Sequence, residues 1–338
     1  MVNDNIFLSS GYLNFDYIAS LGATFNIIVG GRGTGKTFSS LKFMIENHRR
    51  FIFMRKNQVQ LDMVSKKGFT PFEPLINELN LPIETAPMGG KVTRVTVGND
   101  DIGYMIALSA ISSIRGFDAS LVQDIIYDEF IHELHEKPMR AEFEALANAY
   151  ETINRNRELK GFPPVKLYLL ANSNSLDSDI LLGFKIIETL RRMRRKQKTI
   201  FLDQKRSLLV IDLWASPISQ AKKDTALYKL TKGSEFYDMA LENDFSHDRT
   251  DKIKSMPLIE YKIDIEVGEL CFYKHKSKRE YYITKTRMGT PKEVINPSGE
   301  GRKRLIRKYD RYYKAFINDA VKFENMTCKI LFQRYYDG

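Results

Sequence analysis

Residues 30–37, Gly-Gly-Arg-Gly-Thr-Gly-Lys-Thr, put four glycines into six positions and follow them with an amine and a hydroxyl. Glycine loses more backbone freedom on folding than any other residue, so such a run belongs where bare backbone is needed. The spacing fits G-x-x-x-x-G-K-[ST], the phosphate-binding loop, with Gly30, Gly35, Lys36 and Thr37 at the fixed positions. The N–H groups of Gly31, Arg32, Gly33, Thr34 and Gly35 can converge on phosphate oxygens because few Cβ atoms intervene, and a helix N-terminus adds positive potential. Lys36 is then expected to reach the β- and γ-phosphates of ATP, and Thr37 to bind Mg²⁺. A dinucleotide fingerprint would leave the Lys-Thr pair unexplained. The Arg32 side chain is unexplained by the phosphate contacts and reads as a subunit or DNA contact, or as that of a solvated loop residue.

A second set of chemical groups follows about ninety residues later. Leu121–Glu129, LVQDIIYDE, is an apolar strand ending in two acids. Asp128 at the strand tip can hold the water shell of Mg²⁺, and Glu129 can orient or deprotonate a water beside the γ-phosphate. Two adjacent acids point to hydrolysis rather than to phosphate transfer. In VKLYLLANSNS another apolar strand runs into Asn172 and Asn174. Asn172 is expected to sense the γ-phosphate through the attacking water; a self-satisfied turn asparagine is the alternative.

Arginines complete the set. YETINRNRE places Arg155 and Arg157 at a helix end just before that strand. There an arginine can neutralise charge on a neighbouring subunit's nucleotide, or merely complement the helix C-terminus. SSIRG offers Arg115 for the same task, and FIFMRK sets Arg55 and Lys56 at a strand tip. HELHE (His132–Glu136) resembles a zinc-protease motif, but Glu136 stands where that motif needs histidine.

These residues need a scaffold that delivers strand tips to one edge. Strands are expected at Phe25–Val29, Arg50–Met54, Val92–Val97, Tyr104–Leu108, Leu121–Tyr127 and Val165–Ala171. Helices are expected at Lys36–Asn47, Phe72–Asn80, Glu142–Arg157 and Ser178–Arg195. Apolar strands separated by helices indicate a parallel α/β sheet covered on both faces, the P-loop NTPase core. The alternating runs around Gly98–Asp101 predict an antiparallel hairpin added to it. From about Leu258 the period changes to two, and LIEYKIDIEV, ELCFYKH and EYYITKTRM predict a meander of three strands, closed by a helix over Arg304–Phe323. The expected division is an ATPase domain (1–198), a linker or lid (199–250) and a basic α+β C-terminal domain (251–338).

Composition agrees with a soluble fold: 43% of the 338 residues are hydrophobic and 28% charged. No run is long and apolar enough for a membrane span, and the N-terminus lacks the pattern of a signal peptide. Cys271 and Cys328 form no metal spacing or disulfide framework and suit a reducing compartment. The net charge of +10 is uneven: residues 251–338 carry 20 Lys and Arg against 12 Asp and Glu, and the first 250 carry 32 against 30. A basic back half points to a polyanionic partner. The interleaved aromatics of RKRLIRKYDRYYKAF fit binding to a DNA or RNA backbone, with a core-facing helix as the alternative.

GGRGTGKTF, FIFMRK, IALSAISSIRG, IIYDEF, NRNRE and LLANSNS, in this order, resemble the DNA-packaging (encapsidation) ATPases of phi29-like tailed phages over about residues 15–250. FYDMALENDF (Phe236–Phe245) resembles a stretch of their linker. The resemblance implies an additional-strand, catalytic-Glu ATPase, terminase-, FtsK- and HerA-like, in a homopentameric ring on the portal vertex of a procapsid. It implies that ATP hydrolysis drives double-stranded DNA inward, in the host cytoplasm, by a motor absent from the mature virion. On this resemblance Lys36 and Thr37 match the Walker A pair, Asp128 and Glu129 match Walker B, Arg155 matches the trans-acting finger, and Arg115 matches a basic residue acting across subunits. In some members the ring sits on a structural prohead RNA.

Related motors end in an RNase H-like nuclease built from several carboxylates around two metal ions. Here Asp264 and Glu266, expected on one face of a strand, are the obvious candidates, and loss of nuclease activity is the expectation. A terminase-like motor with an active nuclease is the alternative. A nucleotide-switched nucleic-acid-binding protein is the non-enzymatic reading, and the Asp128-Glu129 pair argues against it.

Overall fold

The apolar runs expected between residues 25 and 171 become strands, and three strands of the sheet, Phe51–Arg55, Asp124–Asp128 and Leu208–Asp212, are buried at every position because both faces are covered. The computed structural model describes residues 4–66, 68–89, 91–114, 118–132, 139–173, 175–234, 237 and 260–337. Arg115, Asn174, most of HELHE and all of FYDMALENDF except Tyr237 lie outside the described residues. By internal contacts the chain forms two units, Met1–Phe184 with Thr189–Ser246, and Lys185–Glu188 with His247–Gly338.

The first unit holds β1 (Phe25–Gly30), β2 (Phe51–Arg55), β3 (Ile83–Gly89), β4 (Val92–Val97), β5 (Asp100–Ala107), β6 (Asp124–Asp128), β7 (Lys166–Asn172), β8 (Ile200–Asp203) and β9 (Leu208–Asp212). They form one sheet in the order β3-β4-β5-β2-β6-β7-β1-β9-β8. The six central strands, from β5 to β9, run parallel. The outer pairings are antiparallel. The predicted hairpin is β4–β5, extended by β3, whose mostly exposed IETAPMG carries no apolar alternation to reveal it. Covering helices are α1 (Phe15–Ser20), α2 (Lys36–Glu46), α3 (Gln58–Val64), α4 (Glu73–Leu79), α5 (Glu142–Asn154), α6 (Asp179–Gly183), α7 (Ile187–Arg195), α8 (Pro217–Lys222) and α9 (Ala226–Leu230).

Two expectations fail here for identifiable reasons. The single helix over Ser178–Arg195 is two, because α6 stops at Gly183 and Lys185 takes a left-handed φ of 57°. A side chain at Gly183 would lie 2.1 Å from the Phe143 ring, so close packing fixes glycine there. The second is the linker or lid over 199–250: its expected strand, SLLVIDLWA, forms β9, and with β8 it joins the main sheet, where Phe25–Val29 pairs with Leu208–Asp212. The apolar LLVID of β9 could not remain outside a core.

The second unit contains β10 (Tyr261–Val267), β11 (Leu270–His275), β12 (Tyr281–Thr284), β13 (Glu293–Ile295) and β14 (Val321–Phe323), ordered β13-β10-β11-β12-β14. The predicted meander is its antiparallel centre, and two short parallel strands flank it. The expected helix over Arg304–Phe323 is instead α10 (Gly299–Lys308) and α11 (Asp310–Ile317) followed by β14, and α12 (Met326–Asp337) ends the described chain. Tyr309 and Tyr312 of RKRLIRKYDRYYKAF are buried, and Tyr313 and Phe316 pack on the same core as Phe272 and Phe332. The run is therefore aromatic inside and basic outside, and its rings are not a base-stacking surface.

A register shift between Ile263 and Ile265 corrects the reading of Asp264 and Glu266. The bulge puts Ile263 in a cluster with Cys271 and Tyr273, and Ile265 in the cluster of Tyr312. Asp264 accepts from Tyr312, whereas Glu266 pairs with Arg287 at 3.3 Å. The two carboxylates do not share a face.

Candidate active site

The tips of β1, β6 and β7 meet because their registers align: Gly30 lies beside Asn172, and Asp128 beside Leu170. The chain leaves β1 at Gly30, turns through residues 31–35 and enters α2 at Lys36. The turn needs its glycines. Gly33 and Gly35 have φ of 68° and 90°, a region costly for other residues.

Lys36 is buried and its ammonium lies within the loop. Nζ donates to the carbonyls of Gly31 (2.8 Å) and Gly30 (3.1 Å) and to Oδ1 of Asn172 (3.2 Å). Burial, helped by the Lys222 charge, lowers its pKa to about 8 against the opposing pull of Asp128 and Glu129. Thr37 Oγ1 donates to Asp128 Oδ2 at 2.9 Å, which joins the loop to the acidic strand. Arg55, at the end of β2, bonds Asp128 at 2.9 Å and also pairs with Glu129. Glu129 itself has a left-handed φ of 58°, and its side chain is 53% exposed. Residues Arg32–Phe38, Asp128, Glu129, Ala171 and Asn172 line one cavity of about 440 Å³.

Behind the acidic strand lies a second, buried polar set. The Tyr127 hydroxyl donates to Glu142 at the start of α5, and Lys56 Nζ is 3.5 Å from the same carboxylate. Burial pushes the Glu142 carboxyl upward in pKa, with the Lys56 ammonium opposing it.

Arg155 caps the other end of α5 with φ of 44°; it is exposed, and its Nε donates to the Thr152 carbonyl at 3.2 Å. Arg157 donates to the carbonyls of Ala119 and Ser120, ahead of β6. Asn154 bonds Val165, immediately before β7. Both arginines thus stand at the N-terminal ends of β6 and β7, roughly 20 Å, the length of β7, from the cavity at the opposite ends. The chain's own cavity gathers Lys36, Thr37, Asp128, Glu129 and Asn172 and leaves Arg155 outside.

Sequence reasoning missed Lys222. On α8, it donates from Nζ to the Arg32 carbonyl at 2.6 Å, and a Cβ on Gly33 would lie 2.4 Å from that nitrogen. Nothing in QAKKD distinguishes it from a solvated lysine. Arg55 was legible as a strand-tip residue, but its grip on both acids depends on β2 lying beside β6.

The site's donors fit a nucleoside triphosphate with a divalent cation: a glycine-rich cradle with few Cβ atoms, a buried ammonium within it, and a hydroxyl held against a carboxylate. With β7 inserted between β1 and β6, this loop and acidic strand define a P-loop NTPase fold of the additional-strand kind. A model of the family described as podovirus DNA encapsidation protein (Gp16) matches residues 8–336, and the chain belongs to that family. The DNA packaging protein of Bacillus phage B103 is 22% identical over 323 residues, covering 90% of this chain and 94% of that protein. The DNA packaging protein of Bacillus phage phi29 is 24% identical over 228 residues, covering 66% and 62%. Among solved structures, the bacteriophage Phi-29 viral genome packaging motor assembly aligns with a TM-score of 0.67 at 19% identity, over 96% of this chain and 98% of that one. The Phi-28 gp11 DNA packaging motor aligns with a TM-score of 0.65 at 19% identity, over 97% and 98%.

Proposed function

We propose that the chain is the motor subunit of a viral DNA-packaging ring, hydrolysing ATP between subunits to drive double-stranded DNA through the portal into a procapsid. The observation that carries this is one cavity holding Lys36, the Thr37–Asp128 bond and Glu129. Lys36 and the loop amides hold the β- and γ-phosphates. Thr37 and Asp128 would hold Mg²⁺, which would screen the phosphate charge. Glu129 accepts the proton of the attacking water, and for this it must part from Arg55. Asn172, bonded to Lys36, supplies the amide that orients that water.

Arg155 acts on a neighbour. Its distance from its own cavity leaves the interface as the place where its charge can meet a nucleotide. α5 ties this arginine to its own site, since Glu142 at the near end bonds Tyr127, one residue before Asp128. Arg115 is a second candidate, on its place in SSIRG ahead of the acidic strand and on the family resemblance.

The second unit is a docking module for phosphate backbone. A cavity of about 540 Å³ on its sheet is lined by Lys262, Lys274, Lys276, Lys278 and Arg279, together with His275 and the Lys292–Asp264 ion pair. By contrast Arg304 and Lys308 of α10 are paired with Glu293, so the hairpin between β11 and β12 supports polyanion binding better than that helix does. Its partners are the packaged DNA, the portal or a structural RNA on which the ring sits. Asp264 already accepts from Arg311, Tyr312 and Lys292, which supports docking over metal-dependent cutting.

Mixed rings test the reading. Packaging by wild-type subunits blended with Arg155→Ala should fall faster than the wild-type fraction, because each altered subunit also disables its neighbour. A decline linear in that fraction contradicts catalysis between subunits.

A further inference from the structure

Gly30, Gly31 and Arg32 offer three successive carbonyls of the phosphate loop, and ammonium groups hold all of them. Lys36 takes the first two from within the loop, and Lys222 takes the third at 2.6 Å from α8. Arg32 and Gly33 line the phosphate cavity, but Lys222 is not part of that lining, so its ammonium meets the loop from another side. The helix that carries it is firmly placed. Leu213, between β9 and α8, donates from its N–H to the Val29 carbonyl at 2.9 Å, and a Cβ on Gly30 would lie 2.6 Å from its side chain. Pro217, which opens α8, packs against Gly11, where an added Cβ would lie 3.1 Å away.

A trans peptide is planar, so its C=O and the N–H that follows point in opposite directions. Drawing the Arg32 carbonyl towards Lys222 therefore turns the Gly33 N–H away from α8, towards the cavity that Gly33 lines. Little else fixes that peptide, since Gly33, at φ of 68°, has the widest choice of backbone states. A Cβ there would also lie 2.4 Å from the Lys222 nitrogen and push it off the loop. Lys222 and Lys36 repel each other as like charges, a cost that an entering polyphosphate relieves.

We infer that Lys222 is a positioning residue for the phosphate site: by holding the Arg32 carbonyl it aims the Gly33 N–H at phosphate. Seating of α8 and binding of phosphate then favour each other, because such coupling is reciprocal. The inference rests on the phosphate-loop reading of Lys36 and Thr37 and deepens it. It gives the chain beyond β9 a task at the nucleotide that QAKKD does not reveal.

The test measures the affinities of ADP and inorganic tripolyphosphate by titration calorimetry, beside the urea transition of the ligand-free protein. Lys222→Met keeps the reach of the side chain and removes the donor. It should weaken both ligands about fivefold and leave the urea transition in place. The loss should persist in about 0.5 M salt, where a charge acting only at a distance is screened. Lys222→Arg retains a donor and should stay within about twofold of the wild type. Unchanged affinities, a loss for ADP alone, a loss abolished by salt, an arginine no better than methionine, or a urea transition that shifts in step with affinity each overturn the inference. Lys36→Ala tests the reading beneath it. Loss of both ligands in that variant supports the phosphate site, whereas retained tripolyphosphate binding overturns that site and the role of Lys222 with it.

Discussion

Asp128 and Glu129 end β6, while Asp264 and Glu266 sit within β10, and the two acidic pairs differ in what meets them. The first pair opens on a cavity at a parallel strand tip, where a hydroxyl, a guanidinium and a glycine loop converge. The second is separated by a bulge, and its buried member is saturated by its own unit. Carboxylates close in sequence are thus a site only where topology leaves them facing shared open space. At the edge of a parallel sheet every strand tip faces the same way; within an antiparallel strand one extra residue sends neighbours to opposite faces.

The sharpest way to break this contrast is to neutralise one acid from each pair. Glu129→Gln should retain nucleotide binding and lose at least about a hundredfold in ATP turnover, while Glu266→Gln should change turnover less than about twofold. Comparable losses would erase the distinction. Asp264→Asn comes next and should act on stability alone. Removing the charge held by Arg311, Tyr312 and Lys292 should destabilise the second unit by ~1–3 kcal/mol, read as an earlier urea transition with unchanged ATP turnover.

Acid sharpens the same point. Burial pushes the Asp264 carboxyl up, but Lys292, Tyr312 and Arg311 outweigh it and hold the pKa at about 2. A carboxylate depressed in the folded state stabilises fully above its unfolded pKa, near 3.9. That contribution is lost as pH falls from about 4 towards 2, and Asp264→Asn should flatten the loss.

The smallest effect concerns Lys36. Its pKa near 8 means that it sheds its proton just above neutrality, and only the charged form attracts phosphate. ADP affinity, measured by titration calorimetry, should weaken about tenfold between pH 7 and 9. An unchanged affinity would mean that phosphate does not meet this ammonium.

Much of the first unit was legible because its signals are local. GGRGTGKT needs positive φ at Gly33 and Gly35 within a few residues, and the apolar runs of β1, β6 and β7 can only be buried strands. What stayed hidden is set by tertiary contact. Lys222 lies 190 positions from the carbonyl that it bonds. The single residue that splits Asp264 from Glu266 leaves YKIDIEV looking like a regular strand. The aromatics of RKRLIRKYDRYYKAF carry the same pattern whether they face nucleic acid or a core, and the core of Phe272 and Phe332 decides it.

The central claim is that turnover at Glu129 moves DNA. The direct measurement is the amount of genome protected from nuclease in procapsids supplied with ATP and either wild-type protein or Glu129→Gln. The wild type should protect full-length DNA in proportion to the ATP hydrolysed, and Glu129→Gln should bind ATP and protect none. Protection at wild-type levels by Glu129→Gln would contradict the account.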